Sequence, residues 1–326
     1  MWSFSTWGFA RQLSMFNEQA LFELGSWLRA TGYCFITVTP ATHARVRARI
    51  PRGEAKSLRD IFGWSMAFRP SLLPATARLL LERGGALEAA GQLLRSRVRF
   101  STLGDSLYMH SAYPTADADA VFFGPDTHRF AALIQRTLGT APGLRVDRLV
   151  DVGCGGGAGG IVAVRALRSE PSEVVLADIN ATALQYAAVN VSLAGIMPVT
   201  FSQGDLFNGI AQPIDLIVAN PPYLCDPEAR LYRNGGGELG SELSTRIVVE
   251  GLPRLRAGGA LILYTGAPVV DGLDTFWCSV APIVRDAGVR YDYAELDPDV
   301  FGEELENPAY AHVERIAVVG LVIRKP

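Results

Sequence analysis

Lysine is almost missing from this chain. Lys56 and Lys325 are the only two among 30 basic residues, and no dense run of adjacent charges replaces them. Arginine replaces lysine throughout, spread over the chain rather than gathered in a tract, which is the pattern of a solvated surface. Cysteine is scarce as well: Cys34, Cys154, Cys225 and Cys278 form no CxxC pair, and His43, His110, His128 and His312 are just as dispersed. Neither a disulfide framework nor a zinc centre is indicated, and no metal is expected. Long apolar runs are missing too. The opening MWSFSTWGFARQL has no basic segment leading into an apolar one, and the longest apolar run near the end, residues 316–323, is too short to span a bilayer. We expect a cytoplasmic chain without signal peptide, internal repeat or low-complexity tract.

What is present is globular: 49% hydrophobic and 19% charged residues over 326 positions, enough for two domains with cores of their own. The net charge of −3 hides an asymmetry, because residues 1–110 hold 14 Lys+Arg against 7 Asp+Glu while residues 111–326 hold 16 against 26. An Arg-rich N-terminal part facing a nucleic acid is one reading; a solvated surface is the other. Leu21, Leu24, Trp27 and Leu28 recur at helical spacing before Gly32, and shorter helices are predicted at about 41–50, 71–83 and 86–97. Strands at 98–101 and 106–110 flank Leu103-Gly104-Asp105 as a hairpin. Small helices ending in a hairpin predict a mainly helical, winged-helix-like domain over 1–112, with Trp2, Phe4, Trp7 and Phe9 as core or interface packing. A connecting segment with a helix capped by Asp126 covers 113–145. From 146 to 326 strands and helices alternate, the α/β pattern of a parallel sheet covered on both faces. The last two strands, 289–295 and 314–324, have no long crossover between them and are predicted to pair antiparallel.

Residues 148–160, RLVDVGCGGGAGG, organise that second half. A short apolar strand runs into six glycines within eight residues and then into a helix, so a ligand can lie against bare backbone. Gly153, Gly155 and Ala158 meet the dinucleotide spacing GxGxxG/A. Asp151 argues against a pyrophosphate, which its carboxylate would repel, and suits a cationic ligand such as a sulfonium amino acid. Asp178 ends the next strand, where a carboxylate reaches the hydroxyls of a ribose lying over the glycine turn. Asp205 follows the third strand and is read either as an acceptor for an adenine amino group or as a turn residue. Asn220-Pro221-Pro222-Tyr223 follows the fourth. Two prolines fix φ twice and stiffen the turn. The Asn220 side-chain oxygen and the Pro221 carbonyl can each accept from an –NH2 group, and Tyr223 can stack on a planar acceptor.

With these motifs in this order, residues from about 146 to 324 resemble class I S-adenosylmethionine-dependent methyltransferases. The resemblance is closest to the NPPY subgroup, which methylates exocyclic amino or amide nitrogens and includes adenine-N6 and guanine-N2 methyltransferases of nucleic acids and glutamine-N5 methyltransferases of release factors. It implies a Rossmann-like seven-stranded sheet of order 3-2-1-4-5-7-6. It also implies that Asp151, Gly153, Cys154, Gly155 and Gly157 hold the methionine part of the cofactor, Asp178 with Ile179 the ribose, and Asp205 with Leu206 the adenine. Asn220, Pro221, Pro222 and Tyr223 would be the catalytic turn, with Asn220 also beside the cofactor, and S-adenosylhomocysteine the product. The segment 1–112 resembles the winged-helix-like domain preceding the catalytic domain of some uncharacterised bacterial methyltransferases. The segment 122–127, FFGPDT, sits where glutamine methyltransferases carry a proline-rich stretch bordering the ligand, with a different sequence. The loop 233–244, RNGGGELGSELS, is read as a mobile cover over the acceptor or a surface turn. A nucleic-acid base, a protein glutamine or a small molecule remains open as acceptor, and an NAD-dependent oxidoreductase and a catalytically silent binding module remain as other classes.

Overall fold

The computed structural model describes residues 16–50, 53–141 and 143–326, so Trp2, Phe4, Trp7 and Phe9 lie outside the described residues. Helix α1 (Glu18–Ala30) starts where Asn17 Oδ1 accepts the Ala20 N–H at 3.0 Å, and it buries Leu21, Leu24 and Leu28. Three short helices follow: α2 (Pro40–Ala48), capped by Thr39, α3 (Leu58–Phe62), capped by Ser57, and α4 (Ala75–Arg83). The helix predicted over 86–97 is instead a hairpin of β1 (Leu87–Ala90) and β2 (Leu93–Ser96). Gly91, at φ +64°, starts its two-residue turn, and the Leu94 backbone exchanges two hydrogen bonds of 2.8 and 2.9 Å with Phe68. That partner lies before α4, far back in the chain, so tertiary pairing overrides the helical propensity of LEAAGQLL. The predicted second hairpin is present as β3 (Val98–Leu103) and β4 (Ser106–Ser111).

After α5 (Pro125–Gly139) the chain alternates: β5 (Arg148–Val152), α6 (Ala158–Ala166), β6 (Glu173–Asp178), α7 (Ala181–Ala194), β7 (Val199–Gln203), β8 (Ile214–Ala219), α8 (Glu242–Arg254), β9 (Leu255–Val270), the short β10 (Leu273–Asp274), α9 (Thr275–Asp286), β11 (Arg290–Asp297) and β12 (Arg315–Arg324). The main sheet runs β7-β6-β5-β8-β9-β12-β11, which in chain order of those seven strands is 3-2-1-4-5-7-6; β10 adds to β9. Only β12 runs against the other six. Alternate residues of the strands serve opposite faces: Leu149, Leu216 and Val218 pack under α5 and α6, whereas Val150, Val152 and Ile217 pack under α8 and α9. No helix among the described residues is long and apolar enough to cross a membrane.

Helix α7 is apolar on nearly every side, and the reason is its place between two cores. Ala187 and Val191 meet the sheet, while Ala183, Tyr186, Val189 and Leu193 pack with Leu21, Leu24 and Leu28 of α1. A Cβ at Gly25 would stand 2.8 Å from Leu193, so glycine permits the close approach of α1. The buried Asn190 side chain completes the joint: it accepts from Met109 N–H at 2.6 Å and donates to Met109 O at 3.0 Å and Gly156 O at 2.8 Å. One amide thereby ties β4 to the glycine turn. Asn190→Ala would leave these backbone groups buried without partners and should cost roughly 3 kcal/mol, read from urea unfolding. A loss within about 0.5 kcal/mol, the range of an ordinary surface substitution, would show that the joint is not maintained by this side chain.

Candidate active site

Strand register places the motifs. Val152 pairs with Ala177 on one side and with Ala219 on the other. Gly153, Asp178 and Asn220 therefore leave three adjacent strands at the same level of the sheet, beyond the carboxyl ends and where the strand order reverses. A cavity of about 520 Å³ opens there, a size suited to a small-molecule ligand. Asp151, Gly153, Cys154, Gly155, Asp178, Ile179, Asp205, Leu206 and the whole turn Asn220–Tyr223 line it. Gly157 does not. It forms the N-terminus of α6 at φ +77°, behind the lining.

The glycine run divides by function. A Cβ at Gly153 or Gly155, both at positive φ, would meet no atom within 4 Å, so this backbone lies open to the cavity. Gly159 and Gly160 are packing positions, where a Cβ would come within 2.7 Å of Phe130 and 2.5 Å of Leu176. Asp151 is 1% exposed, and its Oδ2 accepts the Gly160 N–H at 2.7 Å. Burial, joined by the charge of Asp178, lifts its carboxyl to about 7 against the lowering effect of that hydrogen bond. Asp178 is fixed at both oxygens, accepting from Gly155 N–H and Asn180 N–H, each at 2.8 Å. Burial raises its carboxyl as well. Ile179, 55% exposed, offers an apolar surface beside it.

Asp205 opens the turn after β7, its carbonyl accepting from Asn208 N–H at 3.0 Å, and its half-exposed carboxylate accepts from Arg246 at 2.8 and 3.3 Å, a partner that the sequence does not reveal. One expectation needs correction. Asp126 does not cap α5. Gly124 holds the cap position, Pro125 opens the helix and the Thr127 hydroxyl accepts the Gly124 N–H, which leaves the Asp126 carboxylate pointing inward. There it accepts from the hydroxyls of Tyr223, at 2.9 Å, and Tyr264, at 2.8 Å. Tyr223 is accordingly only 6% exposed. Asn220 differs: its side chain borders the cavity and makes no hydrogen bond among the described residues.

The loop 233–244 packs directly against the back of the Asn220–Tyr223 turn. Gly235 N–H donates to Leu224 O at 2.9 Å, and a Cβ at Gly240 would fall 2.6 Å from Tyr223 O. Gly235 and Gly240 are spacers for backbone-on-backbone contact, whereas Gly236 and Gly237 stand against Glu242. Phe122 and Phe123, in the segment already singled out, line the same cavity, and sequence reasoning missed Tyr113, Leu231, Tyr232 and Phe301 beside them. Phe122 and Tyr232 stack at 5.7 Å and 13°, and Leu231 N–H donates to Ala118 O, so the segment after the turn is fastened to the segment before α5.

Residues 121–267 match the family model of the methyltransferase small domain. Among curated proteins, the chain is 33% identical over 206 residues to a release factor glutamine methyltransferase of Deinococcus radiodurans, covering 58% of this chain and 66% of that one. It is 34% identical over 171 residues to one of Rhodopirellula baltica, covering 48% and 54%. To a ribosomal protein uL3 glutamine methyltransferase of Bordetella pertussis it is 34% identical over 135 residues, covering 38% and 45%. The chain thus spans about half to two thirds of the first two relatives.

The Asp151 environment gives a pH test. Below about pH 4 the folded and unfolded chains both hold this proton, whereas between about 4 and 7 only the folded chain does, so the contribution of Asp151 to stability falls as pH rises across that window. Asp151→Asn should therefore gain stability relative to the parent from pH 4 to 7 in urea titrations; a pH-independent difference would refute the shifted carboxyl. With the strand order, the glycine turn and the Asn-Pro-Pro-Tyr turn set side by side on one sheet edge, and with these matches, the chain belongs to the class I S-adenosylmethionine-dependent methyltransferases that carry an NPPY turn.

Proposed function

We propose that the protein transfers a methyl group from S-adenosylmethionine to a planar amide or exocyclic amino nitrogen. The observation that carries this reading is Asn220: unbonded, on a double-proline turn, and level in the sheet with the open backbone of Gly153. The residues present fit the cofactor, since Gly153 and Gly155 leave room for a chain against backbone, Asp178 is a fixed acceptor for ribose hydroxyls, and Ile179 gives an apolar surface for a base. The cofactor supplies an electrophilic methyl on a sulfonium. Asn220 Oδ1 and the Pro221 carbonyl accept from the two N–H groups of the acceptor, drawing its lone pair out of conjugation and aiming it into the cavity. Desolvation by the aromatic lining disfavours the sulfonium charge, which passes with the methyl to the acceptor nitrogen and is lost when that nitrogen releases a proton to solvent. Asn220→Ala should lose at least about 10²-fold in turnover while cofactor affinity stays within a few-fold; unchanged turnover would sink the role of Asn220.

For the acceptor, the relatives named as glutamine methyltransferases support the amide of a protein glutamine. One observation favours a nucleic acid instead. Helix α2 contributes Pro40 to the cavity lining and carries Arg45 and Arg49 exposed, neither in an ion pair among the described residues. Cell extract incubated with methyl-labelled cofactor and fractionated into protein, RNA, DNA and small molecules decides. Label in protein supports the glutamine reading; label in RNA or DNA, with binding that weakens steeply with salt, supports the second.

A further inference from the structure

The Asn220–Tyr223 turn ends on a residue whose surroundings exceed what packing requires. Tyr223 lays its ring on Gly266, where a Cβ would come within 2.3 Å of it, and sends its hydroxyl to Asp126 Oδ2 at 2.9 Å. Asp126, 7% exposed on the first turn of α5, is braced in turn. Its Oδ1 accepts from the Tyr264 hydroxyl of β9 at 2.8 Å and from Arg129 Nη1 at 3.1 Å, and Arg129 reaches on to Asp297 at the end of β11, at 2.9 Å.

We propose that Asp126 is a positioning residue of the methyl transfer, holding Tyr223 and, through the stiff Pro221-Pro222 pair, the orientation of Asn220. This inference rests on the N-methyltransferase reading above. Stability alone is a poor account of the arrangement, because a buried carboxylate carries a desolvation cost that an apolar group of similar size would avoid. What the carboxylate provides is direction. It accepts from donors on three elements and thereby fixes one rotation of the Tyr223 ring. The two prolines between Tyr223 and Asn220 have little torsional freedom to absorb a rotation at one end without passing it to the other. Burial and the Asp126 charge both hold the Tyr223 hydroxyl well above its ordinary range, so it remains a donor at working pH. Asp126 therefore acts through Tyr223, 97 residues away in sequence, and the sequence pattern gives no sign of the pairing.

The test is a double-mutant cycle on the full chain, with kcat, KM for the acceptor and cofactor Kd measured for each variant. Asp126→Ala and Tyr223→Phe should each lower kcat by about 10²-fold with cofactor Kd within a few-fold, since a misaligned acceptor costs rate more than binding. The double variant should be no slower than either single one, because both remove the same link. Tyr264→Phe, which leaves the Tyr223 bond intact, should lose less than about tenfold. Tyr223→Phe removes a single oxygen and keeps the experiment decisive if Asp126→Ala fails to fold. A folded Tyr223→Phe with parental kcat, or losses that multiply in the double variant, would overturn the proposal. Asn220→Ala in the same assay separates the two readings: if it is inactive while Tyr223→Phe is not, only the positioning role falls, and if both are fully active the reaction assignment falls with it.

Discussion

The pairing of Val152 with Ala177 and Ala219 is the constraint from which the site follows. Parallel strands can end level only when their register is fixed, and register here is enforced by alternation: a slip of one residue on β8 would move Leu216 and Val218 to the face occupied by Ile217. Buried surfaces on both sides of the sheet make that slip costly. Gly153, Asp178 and Asn220 consequently meet although they stand far apart in the chain, with no long loop needed to bring them together.

The N-terminal part is coupled to this edge rather than appended to it. Helix α7 gives one face to the sheet and the other to α1, and Asn190 joins β4 to Gly156 inside the glycine turn. A displacement of β4 would therefore break hydrogen bonds of a buried, fully bonded amide that also holds Gly156 O. Two cores that share a helix cannot move apart without exposing it.

Much of this was legible in the sequence because it is written in local chemistry. Glycines at 153 and 155, the proline pair at 221–222, and apolar runs bounded by turn residues report backbone geometry directly. The misreadings have a common origin in long-range contacts. LEAAGQLL has the composition of a helix and becomes a hairpin because Phe68 claims the Leu94 backbone. Asp126 has the sequence context of a cap and turns inward because Gly124 and Pro125 already start the helix. Asp205 lines the cavity after β7, and only its partner escapes a local reading, since Arg246 stands 41 positions on in α8. Local rules cannot see such partners. Tyr232 and Phe301 are hidden in the lining for the same reason, since they belong to two segments without a shared motif.

The cavity is chemically polarised. Asp151, Asp178 and Asp205 stand at the carboxyl ends of β5, β6 and β7, so hydrogen-bonding oxygens gather on the side of the glycine turn, with burial raising the first two carboxyls and Arg246 paired with the third. The same lining includes the rings of Phe122, Tyr223, Tyr232 and Phe301, with the Asp126 carboxylate turned into hydroxyl partners. Against these rings burial of a planar neutral group is favourable and burial of charge is not. In the proposed transfer the positive charge travels with the methyl from sulfur to the acceptor nitrogen and is discharged only when that nitrogen releases a proton, so an apolar lining favours the neutral product over the cation that precedes it.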